Sequence, residues 1–245
     1  NYIDMLKDPN FTKALVTFLI FAVFIVPTTF FASLGLALLV NNATKGTSFF
    51  RTVFFLPTAC SYVVASMTWR MSIFNGLPFG FANIVLDWFN IDAIQWINKP
   101  NPPYFWIVLV TVRLWLQLGF YMILFLAGLQ GIPDVYYEAA DIDGAGRWAK
   151  LRHITIPLVS PVIFFNLIIG IIATFQIFTA GRLMTDGGPQ NATLFYVLYM
   201  YRTAFQNMRV GYSAALAWVL FGIVVALTLF VFRYIGSRVH YEDPR

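Results

Sequence analysis

Carboxylates are scarce in this chain and confined to its polar segments. Of 245 residues only 11 are Asp or Glu, and none of them falls inside a long apolar run. Proton- or sodium-driven carriers usually keep a carboxylate, or the carbonyls of a broken helix, at mid-membrane to bind the coupling ion. The carboxylate is missing here. Cysteine is nearly absent too: Cys60 stands alone, which excludes an internal disulfide and a cysteine-ligated metal. Histidine occurs twice, at His153 and His240, both in polar segments. There is no G-x4-G-K-[ST] phosphate loop, since Lys45-Gly46-Thr47 lacks the leading glycine and has the order reversed. Neither G-x-S-x-G nor H-E-x-x-H occurs. The chain therefore carries no motor of its own and no catalytic constellation, and it is expected not to be an enzyme. Nothing points to nucleic acid.

Apolar residues are abundant instead. They make up 59% of the chain against 11% charged, more than one soluble core of this length can hide. Five runs are uncharged or nearly so: Ala14–Val40, Val53–Trp69, Tyr104–Gln130, Leu158–Ala180 and Gly211–Phe232. Each reaches or approaches the ~20 residues that cross ~30 Å of hydrocarbon as helix. In lipid every backbone polar group needs an internal partner, so helix is the expected form, and the alternation of a barrel is absent. The expected fold class is an all-α integral membrane protein, a polytopic bundle with five spans in this chain. A buried soluble helix explains one such run but not all of them. The first run, as long as the third, holds Pro27, a site for a kink; the second holds Pro57, which blurs its limits.

Loops alternate sides. Residues 41–52, 131–157 and 233–245 carry Lys45, Arg51, Arg147, Lys150, Arg152, Arg233, Arg238 and Arg245. Residues 1–13, 70–103 and 181–210 carry Lys7, Lys13, Arg70, Lys99, Arg182, Arg202 and Arg209 over a longer total length. The denser set is expected to face the cytoplasm. Asn1 then starts outside with no signal peptide, so one more helix is expected before it. The stretch Phe81–Phe89 reads as a short interfacial helix, and the aromatics Phe195, Tyr196, Tyr199, Tyr201 and Phe205 as interface anchors or as a contact surface.

The polar island 131–157 carries Glu138-Ala139-Ala140, then Gly144, Ile154 and Pro157. That order resembles the EAA loop of binding-protein-dependent ABC importer permeases, EAA-x3-G-x9-I-x-L-P, with Ile156 in place of the usual Leu. The likeness covers nearly the whole chain and is to the carbohydrate type, of the maltose and glycerol-phosphate importer kind. Asn1-Tyr2 with Leu6, Asp8-Pro9, Phe11 and Ala14-Leu15 is similar to the family's opening segment. So are Gly46–Pro57 (GTSFFRTVFFLP), Phe125–Pro133 (FLAGLQGIP), Asp143-Gly144-Ala145, Thr185 with Gly187-Gly188-Pro189 and Thr193, and Gly211-Tyr212. The segment 70–103, with GLPFG at 76–80, departs from the pattern.

The resemblance implies a type I importer permease fold in a bacterial or archaeal cytoplasmic membrane. It implies a second, homologous permease, two ATPase subunits that hold ATP and Mg, and an extracytoplasmic solute-binding protein; this chain itself would bind no cofactor. Glu138, Ala139, Ala140, Asp143, Gly144, Ile154 and Pro157 would form the element that grips an ATPase, and Gly187, Gly188 and Pro189 would contact the binding protein. From the residues alone, Pro133 suits a first helical position and Gly144 the turn that ends the helix. A solvated helix-turn-helix connector is the plainer reading of the same loop.

Arg113 is the only charge within a run. On a helix Arg113, Gln117 and Tyr121 stack in one stripe, flanked by Trp115 and Phe120. In the next run Asn166, Gly170 and Ala173 share a face, with Gln176 close by. Amides and aromatics suit a sugar pathway, since sugars offer hydroxyls and flat CH patches; the alternative is interhelical glue. Arg113 and the net charge of +5 suggest an acidic saccharide, against a structural arginine capped by backbone carbonyls. The expected function is the permease subunit of an ATP-driven saccharide importer. A self-contained channel or secondary carrier and a membrane enzyme are the other readings.

Overall fold

The computed structural model describes residues 1–42, 46–236 and 239. Lys45, Arg238, His240 and Arg245 lie outside the described residues. A short helix α1 (Tyr2–Lys7) leads into α2 (Pro9–Asn41), whose start is set by Asp8: its side chain accepts a hydrogen bond from the Asn10 N–H at 2.8 Å, and Pro9 follows it. The helix thus begins before the apolar run does. At about 50 Å it overreaches the hydrocarbon, and it runs on through Pro27. Thr28 and Ser33 return their hydroxyls to the carbonyls of Phe24 and Thr29, which satisfies those groups without a second helix.

The run 53–69 is not one straight span. It lies on α3 (Thr47–Phe55), a tight turn Leu56–Ala59, and α4 (Tyr62–Thr68), which continues through a wide turn to Ile73. The two halves, 47–59 and 62–73, meet at 92°. Pro57 has no N–H for the helix ladder, and Ser61 starts the second half by accepting the Val63 N–H. Next come α5 (Phe81–Asp87) and α6 (Phe105–Gln130). The Asn83 side chain organises the segment around α5: it donates to Leu77 and Ile94 and accepts from Ile94 and the Trp96 indole.

Beyond α6 lie α7 (Asp134–Ile142), α8 (Arg147–Lys150), a wide turn Leu151–Thr155, α9 (Ile156–Leu158) and α10 (Ser160–Phe175). Residues 147–158 and 160–175 meet at 66°. The apolar run continues past Phe175 but the helix does not; Gln176 leaves helical geometry. Then α11 (Tyr196–Tyr201), extended by a wide turn to Gln206, precedes α12 (Val210–Tyr234). Among the described residues α2, α6 and α12 are each long and apolar enough to cross a membrane, and the two bent pairs bring the number to five if each is one crossing.

The core is a seam between α2 and α6. At the end near Asn1, Phe18, Phe21 and Ile25 meet Val108, Leu109 and Val112, with Phe175, Phe195 and Tyr196 closing over them. At the other end, Ala37 and Val40 meet Met122, Phe125 and Leu129. The aromatics at 195–199 are therefore core, not interface anchors. Phe195 packs on Phe21, and the Tyr196 hydroxyl donates to the Leu216 carbonyl at 3.0 Å; Phe205 alone of that group is exposed. Asp8 ties this end together by accepting hydrogen bonds from Tyr199 and Tyr212. Burial would raise its carboxyl pKa, but the bonds from Tyr199, the Asn10 N–H and Tyr212 hold it below the ordinary value. Outward faces of α2 and α12 show Phe24, Phe31, Trp218, Phe221 and Leu229, as expected where lipid is the solvent.

The bent pair rests on α6 at Gly119. A Cβ there would stand 1.9 Å from the Phe54 carbonyl oxygen, so backbone would have to move. At Gly222, on α12, a Cβ would meet nothing within 4 Å. Gly119→Ala is expected to lower the melting temperature of the detergent-solubilised chain by several degrees, and Gly222→Ala to leave it unchanged or raise it. Equal melting for both variants would contradict the packing described.

Candidate functional site

Three regions gather the residues singled out in the sequence. The first is the loop 131–157. Helix α7 starts at Asp134, with Pro133 extended at φ −63°, ψ 136° just outside it, one place earlier than the expected first helical position. It ends in a Schellman turn: Gly144 takes φ +73°, its N–H donates to the Asp141 carbonyl, and the Ala145 N–H donates to the Ala140 carbonyl at 2.8 Å. One face of α7 is tied down. The Tyr137 and Thr155 hydroxyls are 3.0 Å apart, and Asp141 pairs with Lys150. Another face is bare: Val135 is 61% exposed and Ile142 88%, with Ala139 between them at helical spacing and Trp148 of α8 71% exposed nearby.

The seven loop residues therefore divide. Glu138, Ala139, Asp143 and Gly144 are exposed, and Ala140 is half-buried. Ile154 packs instead against the core cluster of Phe125 and Val159, and Pro157 lies in α9. These two hold the loop to the bundle. Sequence reading missed Val135, Ile142 and Trp148; apolar side chains in a polar island at spacing 135, 139, 142 were the available signal.

The second region is the polar track inside the bundle. A cavity of about 220 Å³ is lined by Tyr62, Arg113, Gln117, Ala173, Gln176 and Thr179, among others. A smaller one, about 20 Å³ and wide enough for one water, is lined by Thr29, Ser33, Gln117, Tyr121, Asn166, Gly170 and Thr174. Gln117 belongs to both. Arg113 is only 3% exposed; its Nη2 donates to Thr174 Oγ1 at 3.4 Å, and its Nε has no partner. Thr174 in turn donates to the Gly170 carbonyl at 2.7 Å. Both amide atoms of Asn166 are buried without a partner.

Seven of the nine expected pathway residues thus line one cavity or the other. Trp115 and Phe120 line neither. Trp115 packs on Trp69 with ring centroids 4.9 Å apart, and both Trp115 and Phe120 are partly exposed on the outer side of α6. Trp115 lies on the far side of the helix from the stripe, whereas Phe120, seven residues after Arg113, borders the stripe without reaching either cavity. Tyr62, Thr174, Thr29 and Ser33 were not foreseen; Thr29 and Ser33 share one helix face at i, i+4, which was legible.

The third region holds Gly187-Gly188-Pro189. Gly187 is buried, and Gly188 and Pro189 are half-buried. The turn is laced from both sides: the Gly188 N–H donates to the Thr185 carbonyl at 2.8 Å, and Thr193 Oγ1 donates to the Gly188 carbonyl at 2.6 Å. The exposed parts of this turn are Asp186 and Gln190. Asp186 pairs with Arg182 and Arg202. Burial would raise its carboxyl pKa, but the hydrogen bonds from Arg182 and Arg202 and their charges hold it below the ordinary value.

Comparison with known proteins adds a lineage to this geometry. The family model described as binding-protein-dependent transport system inner membrane component matches residues 6–241. A probable ABC transporter permease protein, YesP of Bacillus subtilis (strain 168), is 40% identical over 86% of this chain and 68% of its own length. The sn-glycerol-3-phosphate transport system permease protein UgpA of Agrobacterium fabrum is 35% identical over 98% of this chain and 81% of its own. A chain of a bacterial ABC transporter involved in the import of the acidic polysaccharide alginate superposes with a TM-score of 0.87 at 23% identity, covering 96% of this chain and 82% of that one. The same score is reached with the alginate transporter in complex with alginate pentasaccharide-bound periplasmic protein.

The turn at 185–193 depends on a charged Asp186. Because its folded pKa is depressed, the ordering it provides is complete above the ordinary carboxylate range, about pH 4, and is lost as pH falls through the folded value. Asp186→Asn is expected to speed amide exchange at Gly187 and Thr193 several-fold at neutral pH, after correction for intrinsic rates. In the native chain the same rise is expected only in acid. Unchanged exchange in the variant would contradict this role.

Proposed function

Since the chain belongs to the family of binding-protein-dependent transport system inner membrane components and is a transport subunit rather than an enzyme, we propose that it is the permease of an ATP-driven importer of saccharides. The named relatives that move sn-glycerol-3-phosphate and alginate support a polyhydroxylated cargo, and the amide- and hydroxyl-lined cavities inside the bundle suit one. Its partners are a second permease, two ATPase subunits that hold ATP and Mg, and an extracytoplasmic binding protein. No cofactor is assigned to this chain. The denser Lys and Arg of the 131–157 side support placing that loop in the cytoplasm.

The observation that carries this reading is the bare face of α7. Val135, Ala139 and Ile142 form an apolar strip on a helix otherwise set among charges. Leaving it in water forgoes the gain of burying it, and the ATPase is the partner that covers it. The opposite face is tethered to Thr155 and Lys150, which lead directly into α10. Movement of α7 with the ATPase is thereby passed to the helix that carries Asn166, Gly170 and Ala173. Alternating access then follows from two packed states of the bundle rather than from ion binding.

Ile142→Asp changes a side chain that touches almost nothing in this chain, so folding is expected to survive. ATPase association is expected to weaken about 30-fold, the size of a truncated hot spot. Gly144→Leu, which forces a bulky residue into a left-handed turn, is expected to uncouple hydrolysis from uptake. Affinity measured by titrating the ATPase onto detergent-purified permease, together with uptake in liposomes, checks both. Native affinity in Ile142→Asp with native uptake in Gly144→Leu would remove α7 from the mechanism.

A further inference from the structure

We propose that the cavity around Arg113 receives the anionic group, a carboxylate or a phosphate ester, of the imported saccharide. This deepens the saccharide-importer reading and rests on it. Arg113 is 3% exposed, yet no ion pair reaches it. The side-chain ion pairs found among the described residues join Lys150 to Asp141, and Arg182 and Arg202 to Asp186. Nor does any of the five apolar runs contain an Asp or Glu, so a second copy of this chain would bring no counter-ion from its spans. Among the described residues the guanidinium makes one hydrogen bond, 3.4 Å to Thr174 Oγ1; it is long, and it meets an oxygen whose own hydrogen is committed to Gly170.

A buried cation without a counter-ion is held at a cost that an arriving anion relieves. A neutral sugar hydroxyl fills the same space without neutralising the charge. The guanidinium fork matches the two oxygens of a carboxylate or phosphate. Its surroundings suit such a guest. The Tyr62 hydroxyl, also buried without a partner, lines the same cavity, as do the amides of Gln117 and Gln176. The cavity, about 220 Å³, exceeds the ~10–15 Å³ that one water needs by more than tenfold. It therefore admits an acidic group together with part of its ring. Arg113 is a specificity-determining residue in this account, and Tyr62 assists it.

The test uses the complete assembly in liposomes: this chain with its permease partner, both ATPases and the binding protein. ATPase stimulation is titrated with a panel of uronate-containing and phosphorylated saccharides, each beside its neutral counterpart. The expected result is stimulation by acidic members, with the uronate and phosphate arms showing which anion fits. In Arg113→Gln the half-stimulating concentration of the acidic cargo is expected to rise about tenfold or more, and that of a neutral counterpart to change little. If Arg113→Gln fails to assemble, Arg113→Lys is read instead: a several-fold rise for acidic cargo alone is expected, because the charge stays and the fork is lost. Stimulation by neutral sugars only overturns the inference and leaves the importer reading standing. So does equal weakening for acidic and neutral cargo, which marks Arg113 as a partner for a carboxylate of the second permease. Stimulation by no saccharide in the panel overturns the saccharide reading and this inference with it.

Discussion

Polar groups placed in lipid must find their partners inside the protein, and this chain meets that condition unevenly. Some hydroxyls are satisfied at once by the turn before them. Thr28 and Ser33 return their hydroxyls to α2, and Thr174 returns its own to α10. Other polar groups are left open, some of them at the cavities. Arg113 Nε, the Tyr62 hydroxyl and the whole Asn166 amide are buried with no partner. These three residues line the two cavities; Thr58, Ser66 and Thr203 also bury an unpartnered hydroxyl, away from them. A bundle built only for stability would close these groups against each other or replace them with apolar side chains.

The same economy governs the 131–157 loop. Its interactions with the bundle are few and one-sided: a tyrosine–threonine hydroxyl contact, one ion pair and the burial of Ile154. They tie the loop to the helix pair that follows, whose 66° break lies between the loop and the cavity-lining part of α10. The other broken pair, α3 and α4, also reaches the cavity, through Tyr62. It brings Tyr62 just past a 92° bend that rests directly on Gly119. Tyr62 follows the first bend, and the second bend precedes the cavity-lining residues of α10.

Much of this was legible in the sequence. Apolar run length located α2, α6 and α12, because a helix that crosses lipid has few other ways to satisfy its backbone. The stripe Arg113, Gln117, Tyr121 and the Asn166, Gly170 face followed from helical spacing, and the structure brings them to shared cavities. Three features were not legible. The run 53–69 looks continuous in composition, and only Pro57 and Ser61 hint at its break; the depth of the bend depends on Gly119, sixty residues away. The aromatics at 195–199 looked like interface anchors because composition does not reveal that the segment folds back under Phe21. Tyr62 carried no signal of its own, since its role comes from facing Arg113 across the cavity. Local physics thus fixed the elements, and long-range packing fixed which of their faces meet.

If α7 relays the motion of the ATPase, its bare face is covered in the working assembly. Cys60 is the single cysteine, so a Cys60→Ser background carrying Ile142→Cys gives one addressable thiol at the exposed end of the lever. Maleimide labelling of that thiol in the reconstituted assembly, with and without ATP, measures whether the lever is covered. The thiol is expected to be protected whenever the ATPase is present and reactive when the ATPase is stripped away. Full reactivity in every nucleotide state of a transport-competent assembly would contradict it.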